Sequence, residues 1–118
     1  RPGKNSGGNL EDSGMPSPDE LLRERLPVDE ILDFCRRTPV KTLWVFGSVL
    51  GDWREDSDVD LLVEFFPGQE PDLLGRLDLQ DELAALVGHP VDLVPRDSVT
   101  NPYRRQSIWE TRFPLYAA

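Results

Sequence analysis

The chain is predicted to fold as an α/β (α+β) domain, a small mixed β-sheet flanked by helices. Two features carry that reading. Segments of helical apolar spacing alternate with short runs of β-branched and aromatic residues, in the order helix, strand, strand, helix, strand, helix. The length, 118 residues, suits one domain and can bury a core without disulfides or a structural metal. The chain contains no internal repeat.

Ser17-Pro18-Asp19-Glu20 forms a capping box with proline at the first helical position, opening a helix that runs toward Arg25. Pro27 interrupts it. A second helix carries Val28, Ile31, Leu32 and Cys35 at helical spacing, and Pro39 ends it. Val40 to Phe46 is a β-branched and aromatic run expected as a buried strand. Gly47 to Ser57 is a polar loop, and Asp58 to Phe66 a second strand closed by the Pro67-Gly68 turn. Leu73, Leu74, Leu77, Leu83 and Leu86 mark a helix capped by Gly88. Val91 to Val94 is a third short strand. Asn101-Pro102 opens a last helix to about Arg112, and Phe113 to Tyr116 can add an edge strand. Residues 1–14 hold four glycines and a single aliphatic side chain, Leu10. They read as a loose tail or expression scar, so the domain is expected over 15–118.

Composition excludes several function classes. Thirteen Lys and Arg against 22 Asp and Glu leave a net charge of −9, which argues against direct nucleic-acid binding, where a basic face is the usual footprint. One Cys and one His cannot supply a sulfur-ligated zinc site. A lone cysteine also excludes an intramolecular disulfide and suits a reducing cytoplasm. No apolar run approaches the roughly 18 residues that cross a bilayer, so no membrane partner is expected. Cys35 on an apolar helix face reads as a small core hydrophobe, and Trp44 as core. His89, at a helix-to-strand turn, reads as a surface or capping residue. Trp53, in the acidic loop, is compatible with packing, base stacking or partner contact.

The chemistry concentrates in one segment. Asp52, Glu55, Asp56, Asp58 and Asp60 fall within nine residues, with Arg54 as the one cation among them. Asp58 and Asp60 stand two apart on a strand, so both side chains leave the same face, about 6.6 Å apart along the backbone. Val59, Leu61 and Val63 then face the core. Two carboxylates at that separation can share a pair of divalent ions roughly 3.5–4 Å apart, the arrangement of phosphoryl-transfer sites, and hard oxygen donors favour Mg²⁺ or Mn²⁺. A calcium loop beginning at Asp56 fails, because its sixth position is Leu61 rather than glycine and its twelfth is Pro67 rather than Glu. A glycosidase pair fails because neighbours on one strand cannot flank a sugar. Gly47-Ser48 ends the first strand, where glycine lets backbone N–H groups approach a phosphate and the hydroxyl can donate to one.

Phe46-Gly47-Ser48, Gly51-Asp52 and the run Asp56-Ser57-Asp58-Val59-Asp60-Leu61-Leu62-Val63-Glu64-Phe65 together resemble the signature of the minimal nucleotidyltransferases. These are small members of the DNA polymerase β-like superfamily, some of which act as antitoxins. Val91-Asp92-Leu93-Val94 is similar to that family's third acidic strand, and Asn101-Pro102-Tyr103 through Pro114-Leu115-Tyr116 to its C-terminal helix and tail. The resemblance runs from about Val28 to the end. It implies a polymerase-palm-like nucleotidyltransferase fold, with Asp58, Asp60 and Asp92 as catalytic residues and ligands of two Mg²⁺ or Mn²⁺ ions. It implies that Gly47 and Ser48 hold the phosphates of ATP or another NTP, and that a hydroxyl attacks the α-phosphate with loss of pyrophosphate. It also implies a partner, a HEPN-domain toxin protein whose tyrosine receives AMP.

The chain departs from the family pattern at one place. Where the family has Gly-Ser-x-x-Arg-Gly, this sequence has Gly47-Ser48-Val49-Leu50-Gly51. The loop is a residue shorter and lacks an arginine that would act as a charge-assisted clamp on triphosphate. Two readings follow: an active enzyme with weak NTP affinity, in which Arg54 can stand in, and a degenerate antitoxin that neutralises its partner by contact alone.

Overall fold

The computed structural model describes residues 17–118, so the expectation for residues 1–14 lies outside the described residues. Among the described residues four α-helices and four strands follow one another as α1 (Pro18–Arg25), α2 (Val28–Arg37), β1 (Val40–Phe46), β2 (Val59–Phe65), α3 (Leu73–Val87), β3 (Val91–Pro95), α4 (Pro102–Thr111) and β4 (Phe113–Ala117). The strands form a mixed sheet in the order β3-β2-β1-β4. β1 pairs antiparallel with β2 and β4, while β2 and β3 run parallel. A parallel pair needs a crossover, and α3 supplies it.

Strand alternation divides the sheet into two faces. Val59, Leu61, Val63 and Phe65 of β2, with Val91 and Leu93 of β3 and Leu43 and Val45 of β1, join a core with α1, α2 and Leu83 of α3. The opposite face carries Phe46, Leu62 and Val94, which pack with Ile108 of α4. Val40 joins the first core although it stands three positions, an odd step, from Leu43. The register shift between Val40 and Thr42 explains this, because an extra residue in one strand reverses the side-chain parity. Among the described residues no helix is long and apolar enough to cross a membrane.

Local signals act where the sequence placed them. Ser17 caps α1 by accepting from the Glu20 N–H and Asn101 caps α4 through Tyr103 and Arg104, while Asp72, which sequence reading did not name, caps α3 through Gly75. Gly88 ends α3 at φ 74°, a left-handed C-cap.

Three expectations need correction. The loop after β1 is not simply polar: Gly47–Leu50 form a 3-10 turn that buries Val49 completely. The second strand begins at Val59, leaving Asp58 one residue upstream as the last residue of the loop. Trp44 is half-buried rather than core; it lies under α4 against Trp109, with ring centroids 6.4 Å apart.

Candidate active site

The parallel register of β2 and β3 sets Asp60 directly beside Asp92. Both stand on the α4 side of the sheet, alternating with the core residues Val59, Leu61, Val91 and Leu93. Burial raises the pKa of Asp60, and the charges of Asp92 and then Asp58 push it further in the same direction; the Arg104 guanidinium partly offsets them. The three carboxylates named from the sequence therefore act on one another electrostatically. Asp58 and Asp92 are open to solvent, while Asp60 is half-buried.

The 3-10 turn closes one flank of this group. Gly47 sits at φ 82°, and a Cβ built on it would stand 2.5 Å from Oδ2 of Asp60. Glycine is required twice here, by the left-handed backbone and by the carboxylate against it. The Ser48 hydroxyl donates to the Asp58 carbonyl at 3.3 Å, joining the turn to the strand entry. Arg25 of α1 donates to the Val49 and Gly51 carbonyls at 2.7 and 3.1 Å, bracing the shortened loop from below.

The far end of the acidic loop is pinned by the corner between α3 and β3. His89 Nδ1 lies 3.0 Å from the Ser57 carbonyl, which can only accept, so Nδ1 carries the proton. The His89 ring packs against Trp53 with centroids 4.5 Å apart, and the Val59 N–H donates to the Pro90 carbonyl at 2.8 Å. Trp53 thus takes the packing role among the three open to it. Arg54, the candidate replacement for the missing loop arginine, instead pairs with Asp52 at 3.1 Å and is exposed.

Arg104 was not singled out by sequence reasoning. Its Nη2 lies 3.8 Å from Oδ2 of Asp92, on the flank opposite the turn. One signal was available. Asn101 caps α4 and places Arg104 in the first turn, where the helix dipole disfavours a cation, so its charge needs a partner outside the helix. Arg25 carries no such signal, since a cation in a last turn is favourable.

The three carboxylates offer hard oxygen donors, one of them half-buried and repelled by the other two, and a divalent cation drawn among them would relieve the repulsion. As they stand, though, no group of three or more Asp, Glu, His or Cys side chains among the described residues is gathered closely enough to hold a metal ion. The carboxylates are an open, mutually repelling group with a glycine turn on one side and a helical arginine on the other.

This sheet, with a Gly-Ser turn after β1 and Asp58 and Asp60 astride the start of β2, has the nucleotidyltransferase fold. Residues 28–114 match the nucleotidyltransferase domain family, and the chain belongs to it; it is a nucleotidyltransferase. It is 43% identical over 92 residues to a candidate protein adenylyltransferase of Methanocaldococcus jannaschii, covering 70% of this chain and 92% of that one. A solved structure described as a candidate minimal nucleotidyltransferase superposes with a TM-score of 0.62 at 36% identity, covering 86% of this chain and 99% of the other. The complex of a tri-AMPylated Shewanella oneidensis HEPN toxin with an MNT antitoxin contains a chain similar in fold, with a TM-score of 0.58 at 22% identity, covering 77% of this chain and 70% of that one.

Proposed function

We propose that the chain transfers AMP from ATP to a hydroxyl on a partner protein, and that this partner is a HEPN-domain toxin which the modification silences. The observation that carries the reading is the Asp60–Asp92 register with Asp58 alongside, on a sheet face bounded by the Gly47 turn. In the reaction the acceptor oxygen bonds to the α-phosphorus while the bond to the pyrophosphate oxygen breaks. The hydroxyl proton passes to a nearby carboxylate, assigned to Asp92, and pyrophosphate leaves. Gly47 and Ser48 would hold the departing phosphates, through backbone N–H groups and the hydroxyl. Two Mg²⁺ or Mn²⁺ ions, held by Asp58, Asp60 and Asp92, would supply charge neutralisation at the phosphates.

The AMPylated HEPN toxin in complex with an MNT antitoxin supports both nucleotide and partner. The missing loop arginine and the engagement of Arg54 with Asp52 favour weak ATP affinity in the isolated chain. They also keep a second reading in play, neutralisation by binding alone.

One experiment separates these. The chain is incubated with Mg²⁺, ATP and a HEPN partner, and the partner's intact mass is recorded beside its toxicity. Addition of AMP that disappears in the Asp58→Asn/Asp60→Asn double variant, with toxicity returning, is the expected result. Neutralisation that survives in the double variant without any mass change would establish contact alone.

A further inference from the structure

A cavity of about 170 Å³ lies under α4 on the same sheet face as the three carboxylates. It is lined by the apolar Leu62, Val99 and Ile108, by Arg96, Arg105 and Trp109, and by one acidic side chain, Asp97. We propose that this cavity is the acceptor pocket of the transferase and that it takes an acidic segment of a protein acceptor. The inference rests on the hydroxyl transfer proposed above.

Position is the first argument. Leu62 follows Asp60 by two residues on β2, so this lining residue and the carboxylate stand in one row. Arg105 follows Arg104, whose guanidinium reaches Asp92. The cavity and the acidic group thus draw on the same two elements, β2 and α4.

Direction is the second. In-line displacement requires the attacking oxygen to enter opposite the leaving pyrophosphate. Gly47 closes the carboxylates on the phosphate side, with its backbone against Asp60. α4 forms the other flank, so an acceptor enters along α4 and lays its neighbouring residues over the cavity.

Charge is the third argument. The chain as a whole is acidic, at −9, yet from Arg96 to Arg112 four arginines face two carboxylates, Asp97 and Glu110. Arg96 is held in place by Glu64 at 3.3 Å and by the Trp109 ring, 5.1 Å from its centroid. Arg112 stacks on the same ring at 3.8 Å. These contacts fix Trp109 as a rigid wall. Arg105 is exposed and enters no ion pair among the described residues, which leaves its planar fork available to a carboxylate. Nucleic acid fits less well, because the basic strip spans one helix and its turn in an otherwise acidic molecule.

The test is calorimetric titration of the full chain with two pentapeptides, each with a central tyrosine, flanked by glutamates in one and by lysines in the other. The overall charge of the chain favours the lysine peptide, so preference for the glutamate peptide is a discriminating outcome. The pocket predicts that preference, and a loss of about tenfold or more in Arg105→Ala, with partial recovery in Arg105→Lys and Mg²⁺-ATP affinity unchanged. Preference for the lysine peptide, or a glutamate-peptide affinity indifferent to Arg105, overturns it. Equal displacement of the peptide by a short RNA of the same charge also overturns it, in favour of a nucleic-acid surface. Assay of AMP transfer to the whole partner keeps the two proposals apart. A chain that transfers AMP without the acidic preference loses the pocket alone, whereas one that holds the preference but transfers nothing loses the reaction and the acceptor role with it.

Discussion

At the scale of single residues, Asp60 is the strained member of the site. Its carboxylate is ionised against burial and against Asp92 and Asp58. Its folded pKa lies above its unfolded one, so the stability linked to its proton is present at low pH and lost as pH rises through the folded value. At neutral pH in a chelator, Asp60→Asn is therefore expected to melt at a higher temperature than the parent, while losing the parent's rise in melting temperature with Mg²⁺ or Mn²⁺. A lower melting temperature for Asp60→Asn in chelator would remove the repulsion argument. Cys35 makes a second, independent case. Burial pushes its thiol from 9.0 up to about 12. The same sign applies, so its contribution is whole below about pH 9 and drains away between about 9 and 12. Urea midpoints across that window should fall more steeply for the parent than for Cys35→Ala, and equal slopes would show that the thiol is not sequestered.

At the scale of elements, the 3-10 turn of Gly47–Leu50 matters most, and two glycines test it against each other. Gly47 and Gly88 both have positive φ, at 82° and 74°, but a Cβ on Gly88 meets nothing within 4 Å whereas one on Gly47 meets Asp60. Gly88→Ala should cost only backbone strain, about 1 kcal/mol, and leave metal and nucleotide binding intact. Gly47→Ala should cost more, in the range of about 1–3 kcal/mol, and also lose metal-dependent stabilisation because Asp60 must move. Equal behaviour of the two variants in chemical denaturation and metal titration would contradict the close packing of turn and carboxylate. Element type and boundaries were largely legible in the sequence: β1 lies over the expected residues, and the capping residues Ser17, Gly88 and Asn101 stand where they were read. Which helical face is covered was not. Leu73, Leu74 and Leu77 helped to mark α3, yet they are 60%, 72% and 38% exposed, and Leu83 is its one buried residue. Spacing reports a helix, but only the packing of neighbouring elements decides which of its apolar residues are enclosed. The same limit hid Arg25 and Arg104, whose partners lie far away in sequence.

At the scale of the whole molecule, the sheet sorts the chain into a structural face and a chemical one. The covered face binds α1, α2 and α3 to the strands; the other combines the acidic trio, the cavity and α4. The net charge of −9 argued against a broad nucleic-acid surface but concealed the local arginine strip, because a sum carries no information about placement. The Asp58–Asp60 pair was read from strand spacing, whereas Asp58 ends the loop before β2. The partnership with Asp92 came from the family resemblance, and the register of two parallel strands now supplies its geometry. The central claim is that these carboxylates move a nucleotide rather than a phosphate. The most direct measurement incubates the chain with Mg²⁺, a HEPN partner and ATP labelled at either the α- or the γ-phosphate. The account predicts label on the partner from α-labelled ATP only, label in pyrophosphate from γ-labelled ATP, and neither in the Asp58→Asn/Asp60→Asn variant. Label reaching the partner from the γ-position, or undiminished transfer by the double variant, would contradict it.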